Sequence, residues 1–171
     1  GSGIEGANSI ATDLDGNVYV TGSDQLGSEK SLAIIKYSSS GQQLWIAKYI
    51  GNASGYNAGY SIKIDKMGNV IVTGTFFQLG TKQDIITLKY SAFGLRLWVN
   101  TYSSSGSHDD FSGNVVIDSS DNIYITGTSN NYYVTIKYDS SGVQKWIDLY
   151  DLVNHTGVSR AMTIDKCGNV Y

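Results

Sequence analysis

The stretch Asp13-Leu14-Asp15-Gly16-Asn17-Val18-Tyr19-Val20-Thr21-Gly22 joins a turn signal to an alternating apolar run, and it returns three times. Lys63-Ile64-Asp65-Lys66-Met67-Gly68-Asn69-Val70-Ile71, Val116-Ile117-Asp118-Ser119-Ser120-Asp121-Asn122-Ile123-Tyr124 and Thr163-Ile164-Asp165-Lys166-Cys167-Gly168-Asn169-Val170-Tyr171 repeat its pattern, with the leading Asp at intervals of 52, 53 and 47 residues. Downstream residues keep the same step. Lys36-Tyr37, Gly41, Trp45 and Tyr49 return as Lys89-Tyr90, Gly94, Trp98 and Tyr102, and again as Lys137-Tyr138, Gly142, Trp146 and Tyr150. A fixed period of this length is the mark of a repeat architecture.

Each repeat divides into four short runs of strand length bounded by Gly, Ser, Asn and Asp. In the first repeat these are strand a (Ser9 to Asp13), b (Val18 to Gly22), c (Leu32 to Tyr37) and d (Leu44 to Tyr49). Residues that tolerate positive φ fill the a–b and c–d connections, which therefore read as tight hairpins. Four antiparallel strands per unit at a period near fifty predict an all-β chain of β-propeller blades, whose sheets bury both faces by stacking on their neighbours. The blade repeats fall at approximately 7–57, 58–110 and 111–160, with an incomplete fourth at 161–171, so residues 1–171 read as a partial β-propeller.

The string from Asp13 to Gly22, followed by Ala33 to Trp45 (AIIKYSSSGQQLW), resembles the bacterial and archaeal SBBP repeat family, named for seven-bladed β-propellers. The elements Asp-x-x-Gly-Asn, Val-x-Val-Thr-Gly, Lys-Tyr and Gly-x-x-x-Trp occur in order, and the likeness covers essentially the whole chain. Gly-x-x-x-Trp is also similar to the docking motif of quinoprotein propellers, where both residues pack. Three complete repeats and the start of a fourth do not close a ring of 4 to 8 blades. The expectation is a piece of a longer propeller, about 360 residues if the resemblance to seven blades holds, or closure through self-association.

Composition agrees with this class and excludes others. Of 171 residues, 41% are hydrophobic and 16% charged, too apolar a mixture for disorder. Gly is frequent (20), Tyr likewise (13), and Pro is absent, which favours turns and uninterrupted ladders. With 12 Lys and Arg against 15 Asp and Glu, the net charge is −3, leaving no basic footprint for nucleic acid. Cys167 is the only cysteine, so neither an intrachain disulfide nor a cysteine zinc site can form. No apolar run reaches the roughly 18 residues of a spanning helix, so no membrane insertion is expected in this segment.

The recurring residues read as architecture. On strand d, Trp45, Ala47 and Tyr49 share a face, as do Trp98, Asn100 and Tyr102, and Trp146, Asp148 and Tyr150, the placing expected of aromatics packed between blades. Asp13-x-Asp15-Gly16-Asn17 resembles a calcium loop, but the second carboxylate is replaced by Met67, Ser120 and Cys167 in the other copies, which favours a hairpin cap. Lys36, Lys89 and Lys137 end strand c on the edge where Asp13, Asp65 and Asp118 end strand a. A pair across strand b, if exposed, adds only about 0 to 1 kcal/mol.

The chain shows no Gly-x-Ser-x-Gly elbow, phosphate loop or dinucleotide fingerprint, so no catalytic residue, metal or cofactor is expected. His108 and His155 each stand ten residues before a strand-a Asp, with Asp109 and Asp110 beside the first. Asn52 and Asn154 head N-glycosylation triplets. Strand alternation sends the b–c and d–a loops to one side and the near-constant a–b and c–d turns, with Ser39 and Lys66, to the other. The variable side spans Ser23 to Ser31, Thr75 to Asp84 and Thr128 to Tyr132 for b–c, and Ile50 to Asn57, Ser103 to Asp110 and Asp151 to Arg160 for d–a. Variable loops on a rigid frame carry binding, so the candidate contacts are Tyr56, Phe76, Phe77, His108, Asp109, Asp110, Tyr132 and His155. The alternative for Phe76 and Phe77 is to cover the core.

Together these features predict a non-catalytic binding or scaffolding module of a cell-surface or secreted protein, its extracellular setting drawn partly from the SBBP resemblance. Its partners are a protein or carbohydrate at the loop face, and the remaining blades or a second copy at the stacking faces. The alternative is a carbohydrate-binding or enzymatic propeller domain with its site on the loop face or in the central channel.

Overall fold

The computed structural model describes residues 6–26, 29–51, 55–78, 82–106, 108–152, 157 and 159–171. Among them there are twelve strands and no helix. The first sheet runs β1 (Gly6–Thr12), β2 (Val18–Leu26), β3 (Glu29–Tyr37), β4 (Gln43–Ile50). The second runs β5 (Ala58–Ile64), β6 (Val70–Phe77), β7 (Gln83–Tyr90), β8 (Arg96–Tyr102). In the third, β9 (Asp110–Ile117), β10 (Ile123–Ser129), β11 (Tyr132–Tyr138) and β12 (Gln144–Asp151) follow the same order. Every pairing is antiparallel between chain neighbours, so each sheet is the four-stranded meander of a propeller blade, and the three sheets form an open stack.

The a–b turns fold as the Asp residues dictate. Asp13 Oδ1 accepts the backbone N–H of Asp15 at 3.0 Å and of Asn17 at 2.9 Å, and Gly16 N–H closes the turn on Asp13 O at 3.1 Å. Asp65, Asp118 and Asp165 make the same two contacts in their own turns. Side chains of this length satisfy turn amides that would otherwise lack a partner. In the third unit Asp121 replaces the turn glycine at φ 60°, within the left-handed region that Asp tolerates better than most residues. The start of the fourth repeat keeps the turn and pairs Ile164 with Val170.

The b–c connections differ from the expected loops. Pairing of β2 with β3 continues to Leu26 opposite Glu29, so Ser23 to Ser31 is mostly ladder. Thr75, Phe76 and Phe77 belong to β6, with Phe77 opposite Gln83. In the third sheet only Asn130 and Asn131 lie between the strands, at φ 41° and 70°, as in a two-residue type I′ hairpin. Continuing the ladder satisfies backbone groups that a long polar loop would leave to solvent, and this extends the strands beyond their apolar runs.

Stacking makes two cores. Tyr19, Leu32 and Ile34 of the first sheet meet Ile62, Val70, Val72, Phe76, Ile86, Leu88 and Tyr90 of the second. The opposite face of the second sheet sends Ile71 and Ile85 against Val115, Ile123, Ile125, Val134, Ile136 and Tyr138 of the third. The middle sheet is therefore buried on both faces, and its central strands lose polar alternation. Thr-Gly pairs fasten the sheets at their inner edge. Thr73 Oγ1 and Ser112 Oγ lie 2.7 Å apart, and Ser159 Oγ donates to Thr126 Oγ1 at 3.0 Å. The adjoining Gly74 admits strand β5 so closely that a Cβ would stand 2.2 Å from Ala58 O.

Candidate functional site

The repeated charges and aromatics form joints between sheets. Trp45 Nε1 donates to Ala92 O of the next sheet at 3.0 Å, and Lys36 Nζ donates to the same oxygen at 3.3 Å. One period on, Trp98 Nε1 and Lys89 Nζ both donate to Ser140 O, at 3.4 and 3.0 Å. Two unlike side chains thus converge on one turn carbonyl, which fixes the position of the neighbouring sheet.

Behind this joint, Tyr19 donates its O–H to Asp13 Oδ2 at 3.0 Å while Lys36 Nζ lies over the Tyr19 ring, 4.8 Å from its centre. Tyr124, Asp118 and Lys137 repeat the arrangement, with the ammonium again 4.8 Å away. In the middle sheet Ile71 occupies the tyrosine position and cannot intervene, so Lys89 Nζ reaches Asp65 Oδ2 directly at 2.9 Å. That pair is buried, with side chains 6% and 3% exposed, so the small value of an exposed pair does not apply to it. Burial pushes the Asp65 carboxyl upward, but the Asn69 amide and the Lys89 ammonium outweigh it and hold the carboxyl below its ordinary range. Tyr19 is pushed well above the usual phenol value by burial and by the Asp13 carboxylate that its O–H serves.

Of the candidate loop-end residues, Tyr56, Phe77 and Asp109 gather at the β6–β7 hairpin end, and Tyr132 lies at the end of the third sheet. Phe76 is core, 2% exposed and edge-on to Tyr49 with ring centres 6.1 Å apart. The even-numbered members of β6, Val70, Val72 and Phe76, share its face, and this phase was the signal that removes Phe76 from the surface. Phe77 is half-buried beneath Gly55, and Tyr56 beside it lies under the Lys30 ammonium. His108 is exposed; Asp109 accepts Gln83 N–H at 3.2 Å, and buried Asp110 accepts Ser104 N–H at 2.7 Å. Tyr132 is half-buried at the tip of the third sheet, opposite Asp151. His155, Asn52 and Asn154 lie outside the described residues.

A more coherent surface lies on the opposite side, among the a–b and c–d turns. Leu14 is fully exposed, Met67 is 79% exposed and Phe93 86%. All three border one groove of about 730 Å³ between the first and second sheets, with Thr12, Asp15, Ile64, Lys66 and Ala92 in its walls. Capping explains how this is built: Asp13, Asp65 and Ser91 clamp the turn backbones through their own side chains, which leaves Leu14, Met67 and Phe93 no packing role within the fold. The sequence signal was present as variation at fixed positions. Leu14-Asp15 becomes Lys66-Met67, Ser119-Ser120 and Lys166-Cys167, while Ser39-Ser40 becomes Ala92-Phe93 and Ser140-Ser141. Reading this face as near-constant in its backbone conceals that its tips are not constant in chemistry.

Comparison with known proteins agrees with the repeat. The family model described as the SBBP beta-propeller repeat matches residues 7–23, the β1–β2 hairpin and its Asp13 turn. An uncharacterized WD repeat-containing protein of Acanthamoeba polyphaga mimivirus is 28% identical across 88% of this chain. The chain spans 13% of that relative's length.

Proposed function

We propose that this chain, which carries an SBBP β-propeller repeat at residues 7–23, is a non-catalytic propeller-type binding module that holds a protein partner at its turn face. The observation that carries the reading is the convergence of Leu14, Met67 and Phe93 on one groove. Large apolar side chains held out by rigid turns contribute nothing to folding, but they supply an interface with apolar area whose ordering cost is already met. Charges of both signs border the groove, Asp13, Asp15 and Asp65 with Lys36 and Lys66, the Lys66 ammonium donating to Ser119 O of the third sheet. Similarity to a WD repeat-containing protein supports a propeller that acts by binding. A cell-surface or secreted setting belongs to the same proposal, supported by a composition rich in Ser, Asn, Gly and Tyr with little Lys.

The experiment is affinity capture from the protein's own cells and medium with the 171-residue chain and four variants. Phe93→Ser and Leu14→Ser alter the groove; Tyr132→Ala and Asp109→Asn alter the opposite side. A partner held by the parent chain is lost with the first two and kept with the second two. Retention by the groove variants together with loss by Tyr132→Ala or Asp109→Asn moves the binding face to the loop ends.

A further inference from the structure

A second groove, of about 540 Å³, opens on the inner edge where the second and third sheets meet the start of the fourth repeat. Its walls are Tyr60, Phe111, Ser112, Gly113, Asn114, Ser159 and Arg160. What it can recognise follows from which polar groups are still free. Ser112 Oγ is bound to Thr73 and Ser159 Oγ to Thr126. Asn114 is engaged at both ends: its Oδ1 accepts from Ser61 at 3.2 Å and its Nδ2 donates to Arg160 O at 2.7 Å. The hydroxyls and the amide are therefore committed to joining the sheets. Phe111 is exposed, Tyr60 is half-buried, and the exposed Arg160 has no ion pair among the described residues.

We infer that this inner-edge groove binds a small aromatic carboxylate, its ring against Phe111 and Tyr60 and its carboxylate on the Arg160 guanidinium. The groove offers apolar walls and one planar, permanently charged donor. A flat apolar body with a single negative charge matches both. A hydroxyl-rich ligand such as a sugar would bury several polar groups against a lining whose free donors are concentrated on Arg160, and those left unpaired carry a cost. Tyr60 does not oppose the anion, because burial and its contact with Tyr56 push its phenol up to about 12 and keep it neutral at ordinary pH. The site is distinct from the turn-face groove in position and in chemistry, so either can fail without the other.

The test is heteronuclear NMR on the 171-residue chain titrated with benzoate, acetate, benzyl alcohol and glucuronate as probes. Benzoate is expected to shift the amide signals of residues 111–114 and 159–160. Acetate, lacking the ring, and benzyl alcohol, lacking the charge, are each expected to bind about tenfold more weakly or worse. Arg160→Gln, an exposed substitution that leaves the Asn114 contact to the backbone oxygen intact, is expected to weaken benzoate by about tenfold and to leave benzyl alcohol unchanged. Phe111→Ser is expected to weaken benzoate and benzyl alcohol alike. Unshifted signals at these residues, unaltered benzoate affinity in Arg160→Gln, or glucuronate binding as well as benzoate would each overturn the inference.

Discussion

Trp98 covers Gly142 of the following sheet so closely that a Cβ added to Gly142 would stand 2.9 Å from the indole Cδ2. Trp45 covers Gly94 in the same way, at 3.1 Å. Gly41 holds the equivalent turn in the first sheet with no atom within 4 Å of such a Cβ. The three glycines share φ values of 83° to 89°, so their backbones carry the same demand and differ only in what lies above them.

This separates the two reasons for glycine. Gly41→Ala is expected to cost about 1 kcal/mol from the left-handed backbone alone. Gly142→Ala carries the same cost and must also displace the indole, for a total of about 2 to 3 kcal/mol. Urea denaturation of both variants measures the difference, and equal losses would show that the Trp98 contact has no energetic weight.

The direct pair in the middle sheet gives a second expectation. Lys89→Met leaves the buried Asp65 carboxylate its turn partners but no counter-charge and is expected to cost about 3 kcal/mol, whereas Lys36→Met removes a longer contact of 3.8 Å and leaves Asp13 its Tyr19 and Asn17 partners, and is expected to cost about 1 kcal/mol. Acid reads the same group. Asp13, Asp65 and Asp118 are all held below the ordinary carboxylate value: burial acts upward on each, and the hydrogen bonds of its own turn act downward and prevail. A depressed folded value means stability that is complete above the unfolded value of about 3.9 and lost as pH falls through the folded one. The urea midpoint is therefore expected to be flat from pH 7 to about 5 and to fall below about pH 4, with a shallower fall in Asp65→Asn. A midpoint that does not change down to pH 3 contradicts the cap account.

Asn57 and Asp110 occupy the same place, eight residues before Asp65 and Asp118. Asn57 uses both ends, with Nδ2 donating to Lys30 O at 2.7 Å and Oδ1 accepting Phe77 N–H at 2.9 Å. Asp110 is fully buried and its Oδ1 has no hydrogen-bond partner among the described residues. Asp110→Asn restores a donor where the preceding joint has one and is expected to raise stability by about 1 kcal/mol. A lower thermal midpoint for this variant would show that the second joint is not built like the first.

The parts of the fold that were legible in sequence are those whose hydrogen bonds close locally. Asp13, Gly16 and Asn17 specify their turn within five residues, and the period did the rest. Hairpin length was not legible, because Ser23 to Leu26 and Glu29 to Leu32 satisfy their backbones by pairing with each other, with no apolar alternation to announce it. Burial of Lys89 with Asp65 was hidden for another reason: it follows from the single exchange of tyrosine for Ile71, whose effect is felt only by side chains on the strands either side. Leu14, Met67 and Phe93 escaped notice because one apolar residue in a tight polar turn carries no periodic signal. Only their spatial convergence gives them meaning.

The joints also bear on how such a chain comes to exist. Trp45 and Lys36 do not recognise the second sheet as such; they recognise a turn carbonyl beside a glycine, and Ser140 with Gly142 presents the same target as Ala92 with Gly94. A gene segment encoding one whole repeat can therefore be duplicated or excised between equivalent positions, and the sheets on either side of the cut meet through contacts they already possess. Lengthening the array requires no invention of a new interface, so unequal crossing-over within the gene yields products that fold from the outset.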